Sequence, residues 1–373
     1  MTVTIAEGAR QRFPQVSQVS YDRGFWSKEN LEKLEEFLDR AVLPKKGNFF
    51  SLIKLNLITF SLLRYAMRIR MYDIIGDIHG RADELEALLL KLGYERRKSA
   101  YRHPEQKAIF VGDFIDGQGQ HRKTFDICRS MVEQETALAV MGNHEFNAIC
   151  YSISDGAGDF LRPHNEKNIR DHAEFIAEFP FLSSIHQEAI NWFKTLPLFL
   201  DLGELRIIHA VWHHTSFPIV AHFLDENNCL TADAYVPASD KAHPLYHAIE
   251  YLLKGIELEL PPGVSFRDKK GNLRTAARIR WWDEQATHWS NATIGTGQAE
   301  LPDTPLPEQR YRYTDTVPLF VGHYWMSGQP RPMSDQVACV DYSVARPGGR
   351  LVAYRWLGEK KLIQDNFTWI DRP

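Results

Sequence analysis

The chain has 373 residues, 44% of them hydrophobic and 25% charged, with a formal net charge of −4. That length buries a large core, as one elaborated domain or two modest ones, and the slight negative charge argues against a general binder of nucleic acid. Cys128, Cys150, Cys229 and Cys339 are widely scattered, so no disulfide framework is expected, and with no secretory signal in view a reducing cytoplasm fits.

Residues 1–70 read differently from the rest. A helix is expected near Lys28–Leu43, with Leu31, Leu34 and Leu38 on one face. The apolar run Leu52–Met67 is interrupted by Lys54, Asn56 and Arg64 and falls short of the ~20 residues that a membrane span needs. No membrane is expected as a partner. Met71 stands directly before the first strand of a new pattern, so residues 1–70 are read as an N-terminal extension, with a native start at Met71 as the expectation to test. The mass of the native N-terminus tests this.

From Met71 onward, strand and helix alternate. The spacing predicts a strand over Tyr72–Gly76 and a helix over Arg81–Gly93, with Leu85, Leu88, Leu89 and Leu92 on one face and Gly93 ending it. The basic stretch from Lys91 to Lys107 reads as a solvated turn. A strand over Ala108–Gly112, a helix over Thr124–Gln134 and a strand over Ala137–Met141 follow. Units of this length imply parallel pairing with right-handed crossovers. Helices are then expected at Glu174–Phe179 and Ala189–Leu196, with a strand at Leu205–His209. Residues 212–317, rich in Pro and aromatics, read as an irregular inserted cap with one helix near Tyr246–Ile256. Strands return at Leu319–Gly322, Val337–Asp341 and Leu351–Trp356, with a hairpin turn at Pro347-Gly348-Gly349.

Polar motifs sit where these strands end: Gly76-Asp77-Ile78-His79-Gly80, Gly112-Asp113-Phe114-Ile115-Asp116, Gly142-Asn143-His144-Glu145, Ile208-His209-Ala210 and Gly322-His323. Ligand groups of an open α/β sheet gather beyond the carboxyl ends of its strands. Asp77 and His79 can reach one ion, Asp113 can bridge two, and Asn143, His209 and His323 add one oxygen and two imidazoles. A mixed oxygen and nitrogen set without thiolates suits Mn²⁺, Fe or Zn²⁺. Two such ions ~3.5–4 Å apart acidify a bridging water and clamp a phosphate. His144, next to a ligand, reads as a general acid, with Asp116 orienting it. Any one of these residues alone is as easily a capping or core polar group; the signal is the set in its order. His213 and His214 read as loop residues, and the pair Trp281-Trp282 as cap core.

This order of motifs resembles the calcineurin-like metallophosphoesterase superfamily, in the branch that holds serine/threonine phosphoprotein phosphatases and bacterial symmetrical diadenosine tetraphosphatases. The resemblance covers residues 71 to about 356 and implies a two-sheet β-sandwich flanked by helices. It implies one ion on Asp77, His79 and Asp113, and a second on Asp113, Asn143, His209 and His323. It also implies a proton donor, His144, partnered by Asp116. Two departures stand out. Tyr324-Trp325 follows His323 where many diesterases and nucleases have a second His two residues on, which points away from those branches. Gly117 follows Asp116 where the family has a phosphate-binding Arg, so Arg122, Arg278 and Arg280, with Asn143, are the candidates for holding substrate.

The expected function is therefore metal-dependent hydrolysis of a phosphomonoester, protein-phosphatase-like, by a metal-bridging hydroxide with two divalent ions, Mn²⁺ before Fe or Zn²⁺. The alternative is a dinucleoside polyphosphate hydrolase; a non-catalytic metal-binding scaffold is the third reading, supported by Gly117 alone. The partner is a phosphorylated substrate, phosphoprotein or nucleotide.

Overall fold

A computed structural model describes residues 71–267, 271, 273–296, 299–307 and 311–372. The expectations for residues 1–70 lie outside the described residues. Among the described residues, no helix is long and apolar enough to cross a membrane.

Two sheets carry the fold. The first has the order Asp341–Tyr342, Arg350–Trp356, Met71–Ile75, Gln106–Phe110, Ala137–Ala139, with Phe367–Asp371 also on Arg350–Trp356. Its three strands from Met71 to Ala139 run parallel, as the strand–helix–strand spacing requires, and Arg350–Trp356 closes on Met71–Ile75 antiparallel. The second sheet has the order Val337–Cys339, Leu319–Val321, Arg206–Ile208, Phe199–Asp201.

Period-two alternation sends Ile74, Ile109, Val352 and Tyr354 of the first sheet and Ile207, Phe320 and Ala338 of the second into one shared apolar cluster. The sheets are therefore packed face to face, as the two faces of a sandwich. Alternate residues of the first sheet, Ile75, Ala108, Phe110 and Ala137, join a second cluster with the helices. In the helix Ala82–Leu92, Leu85, Leu88 and Leu89 are fully buried, each worth roughly 1.5–3 kcal/mol. It ends where Gly93 takes φ 95°, its N–H turning back to Leu90 O.

Several elements differ from the sequence-based expectation. The segment 337–342 is two strands, not one: the chain leaves the second sheet after Cys339 and enters the first at Asp341. Part of the basic stretch forms a hairpin, the exposed Glu95–Arg97 against Ala100–Arg102, which buries Ala100 and Tyr101. Helix Glu166–Glu178 begins eight residues before the expected Glu174, because Asn165 caps it by accepting from Asn168 N. Helix His121–Glu133 starts a turn early, its first amides donating to Glu178 of that neighbouring helix.

Residues 212–317 link two hydrogen-bonded neighbours, Arg206–Ile208 and Leu319–Val321. They are more ordered than their composition suggests, holding helix Pro244–Lys254 and a three-stranded antiparallel sheet of Glu257–Glu259, Ala276–Ile279 and Thr293–Ile294.

Candidate metal centre and proton donor

The three parallel strands of the first sheet end side by side, so the loops after Ile75, Phe110 and Ala139 deliver Asp77, His79, Asp113, Asp116, Asn143 and His144 to one edge. The second sheet brings His209 after Ile208 and His323 after Val321. His79, Asp113, Asp116 and His323 all take positive φ, between 49° and 68°. Such backbone costs of order 1–3 kcal/mol per residue and persists only where the surroundings enforce it.

Asp113 is the centre of the cluster. Its Oδ2 lies 3.4 Å from His209 Nε2 and 3.8 Å from both His79 Nε2 and His144 Nε2. The Asn143 oxygen sits 2.7 Å from His323 Nδ1 and 3.1 Å from His209 Nε2. Candidate ligand atoms fall into two groups: His79, Asp113 and His144, and Asp113, His209 and His323. Asp77 joins from the other side, Oδ2 accepting from His323 N at 3.0 Å. Gly322 leaves the room for it, since a Cβ there would stand 2.1 Å from Asp77 Oδ1.

Two imidazoles are held by their outer nitrogens. His79 Nδ1 donates to Ile115 O at 2.9 Å and His209 Nδ1 to Val111 O at 2.7 Å, which turns each Nε2 inward; burial lowers the His79 pKa, whereas the Asp113 charge outweighs burial and raises that of His209. Glu145 fixes the loops, its carboxylate accepting from the N–H groups of Asp113, Phe114 and Gly142.

The donor set fits cations on two observations. Asp77 Oδ1, His79 Nε2 and His323 Nε2 are buried without a hydrogen-bond partner, a costly state unless a ligand takes the lone pair. The carboxylates also crowd one another. Burial, with the charges of Asp341 and Asp113, pushes Asp77 well above the usual carboxylate range. Burial likewise raises Asp341, and burial with Asp113 takes Glu145 up to about 7. Buried surplus negative charge of this kind is relieved by a cation. Burial and the nearby Arg278 charge hold His323 well below its ordinary value, and therefore neutral, as a ligand must be.

His144 is turned differently. Its Nδ1 is 2.8 Å from Asp116 Oδ2, and its side chain is a quarter exposed. Burial works to lower its pKa, but the Asp113 charge and the Asp116 hydrogen bond outweigh it and push it up to about 9.

The three arginines fare unequally. Arg122 pairs with Asp126 and lies over the Phe179 ring, and Arg280 is exposed; neither touches the cluster among the described residues. Arg278 lies 6.0 Å from the centre of the Tyr324 ring, and its charge acts on His323. Its Nη2 forms an ion pair with Glu257 at 3.6 Å, and its Nε is buried with no partner. Trp281 and Trp282 are cap core, 1% and 8% exposed; Trp281 Nε1 donates to Tyr324 OH. His213 bonds Ser216 Oγ, away from the cluster.

Sequence reasoning missed three residues. Asp341 is fully buried and accepts from Trp325 N and Ser343 N; its signal was a carboxylate closing an apolar strand, the same sign that marked Asp77. Trp325, where other branches place a second His, packs its ring 5.4 Å from that of His79. His172, 56 residues beyond Asp116, bonds that carboxylate and gave no local signal.

The model of the calcineurin-like phosphoesterase family matches residues 72–265. The asymmetrical bis(5'-nucleosyl)-tetraphosphatase PrpE of Geobacillus sp. (strain WCH70) is 45% identical over 146 residues, 37% of this chain and 56% of that one. Its counterpart from Oceanobacillus iheyensis is 31% identical over 147 residues, 39% and 56% of the two chains. The chain thus spans about half the length of the curated relatives it matches. Among solved structures, a protein serine/threonine phosphatase from Saccharomyces cerevisiae aligns over 93% of this chain and 96% of its own, at 15% identity and a TM-score of 0.43. A putative diadenosine tetraphosphatase aligns over 81% and 93%, at 14% identity and a TM-score of 0.40; likenesses this weak add no weight. The family match runs through more than half of the chain, from the first strand into the cap. On that ground the chain belongs to the calcineurin-like phosphoesterase family, a family of metal-dependent phosphoric ester hydrolases.

Proposed function

We propose that this protein hydrolyses a phosphomonoester, with His144 as the proton donor to the leaving oxygen and Asp116 as its orienting partner. The observation that carries this reading is the placing of His144: one ring nitrogen 2.8 Å from Asp116, the other 3.8 Å from Asp113 at the heart of the ligand cluster. A positioned acid is of most use when the leaving group is a basic alkoxide, such as a serine or threonine side chain, and of least use when it is a nucleotide phosphate.

Asp77, His79 and Asp113 would hold one divalent ion, and Asp113, Asn143, His209 and His323 a second. Bound there, Mn²⁺, or Fe or Zn²⁺ in its stead, supplies an acidified water and neutralises charge on the phosphate. Asn143 and Arg278 are the side chains we assign to the substrate phosphate. Arg278 is the side chain we assign to the task that the family gives to the residue at Gly117: its guanidinium lies over the Tyr324 ring, its charge acts on His323, and its Nε is buried without a partner although Nη2 pairs with Glu257. Four buried free cysteines suit a reducing cytoplasm as the place of work.

A second reading, cleavage of a dinucleoside polyphosphate, is favoured by the activity in the name of the PrpE relatives. The two are separated by turnover of p-nitrophenyl phosphate and diadenosine tetraphosphate on metal-stripped protein, before and after Mn²⁺ is added. Metal-dependent turnover of the monoester, with diadenosine tetraphosphate a poor substrate, supports the first reading; the reverse supports the second. Silence on both with two ions bound would overturn both and leave a metal-binding scaffold.

A further inference from the structure

Asp116 serves two histidines. Its Oδ2 meets His144 Nδ1 at 2.8 Å, and its Oδ1 meets His172 Nδ1 at 2.7 Å. The carboxylate side chain is 7% exposed and His172 is 4% exposed. Burial would raise the Asp116 pKa, but the two imidazoles offset that and hold it low, so the group is ionised and acts only as an acceptor. Both Nδ1 atoms therefore carry the hydrogen. His172 Nε2 is buried without a partner.

The consequence is mechanical. A carboxylate bonded through one oxygen is free to turn about its Cβ–Cγ bond and to carry its partner with it. Asp116 is bonded through both, and the second bond comes from a different element. His172 stands on helix Glu166–Glu178, its ring 5.0 Å from Tyr151 and 4.9 Å from Phe175. The same helix holds the start of His121–Glu133 through Glu178. Asp116 itself sits on a strained loop with φ 60°, which has no regular structure of its own to fix the side chain.

We propose that His172 is a positioning residue for proton donation: it pins Asp116 so that His144 points its free nitrogen at the leaving oxygen. This rests on the reading of His144 as the donor. His172 touches neither substrate nor metal ligand; it acts through Asp116.

The test compares His172→Asn, whose amide can reach the Nδ1 position, with His172→Gln, whose amide reaches the Nε2 position instead. Both are measured, beside the wild type and His144→Asn, on aryl phosphates of rising leaving-group basicity. Against phenyl phosphate, His172→Gln is expected to lose ~10–100-fold in kcat at unchanged KM. Against p-nitrophenyl phosphate it should lose little, and His172→Asn should stay near wild type on both. Imidazole ¹⁵N spectra of the metal-free protein give an independent reading: the His144 Nδ1–H signal should persist in His172→Asn and shift or broaden in His172→Gln. Equal losses on all leaving groups, or Asn and Gln variants that behave alike, would overturn the proposal. If His144→Asn itself shows no dependence on the leaving group, the donor reading fails first, and the inference falls with it.

Discussion

The two halves of the site are built in different ways. Asp77, His79, Asp113, Asp116, Asn143 and His144 hang from three adjacent parallel strands, within about seventy residues of one another in sequence. His209 and His323 come from the second sheet and reach the cluster because two sheets pack face to face, while Arg278 comes from the cap. The first half is local topology made visible as motifs. The second half depends on packing across the fold, and it holds Arg278, the side chain proposed above for the substrate phosphate.

The sharpest way to break this contrast is to remove the residue that both halves share. Asp113→Asn is expected to abolish occupancy of both metal positions and turnover together, read by metal analysis of the purified protein and by hydrolysis of p-nitrophenyl phosphate. If one ion remained with half the activity, Asp113 would not be the bridge. His144→Asn should leave metal content intact and slow cleavage of poor leaving groups by roughly 10²–10⁴-fold. An equal loss with p-nitrophenolate would contradict its role as an acid.

The contrast also explains what could be read from the sequence. Each strand-end motif pairs a short apolar run with Asp, Asn or His, and parallel pairing aligns such ends, so the placing of Asp77, Asp113 and Asn143 at one edge was legible once the motifs were read as an ordered set. His209 and His323 carried the same mark more weakly, and their place rested on the order of the set. His172 was not legible, because its helix begins at Glu166 on an Asn165 cap and its polar face shows no preference for Asp116 until the chain is folded. The cap misled in another way. Its strands are two to four residues long, too short for alternation to stand out from an aromatic-rich background.

Gly117 tests whether the missing arginine is a simple loss. A Cβ at this position would stand 2.9 Å from His79 O and 3.0 Å from His79 Cβ. Gly117→Arg is therefore expected to displace His79, a candidate ligand, and weaken metal binding by ~10–100-fold, read by titration calorimetry. A gain in turnover with metal affinity intact would show that the arginine's place is still open. On the cap side, Arg278→Met should raise KM by roughly tenfold, the worth of about 1.4 kcal/mol in a charge-assisted contact, while metal content stays unchanged. Unchanged KM would remove the cap from phosphate binding and leave the local half of the site alone.

The smallest expected effect separates a histidine that only packs from those that act. His186 is 1% exposed, between the rings of Phe175 and Phe181, with neither ring nitrogen hydrogen-bonded. Burial, aided by the charge of His172, lowers its pKa from 6.5 to about 4. In that window the unfolded chain binds the proton that the folded chain refuses. Stability from this group is thus full above about 6.5 and is lost as pH falls toward about 4. His186→Phe keeps the apolar contacts and cannot take up a proton. The thermal midpoint of the wild type should therefore fall more steeply than that of the variant between those two pH values, while metal content and leaving-group dependence at neutral pH stay the same. Parallel curves would mean that His186 finds a partner or water in solution, and that the aromatic packing beneath Asp116 is less dry than its geometry implies.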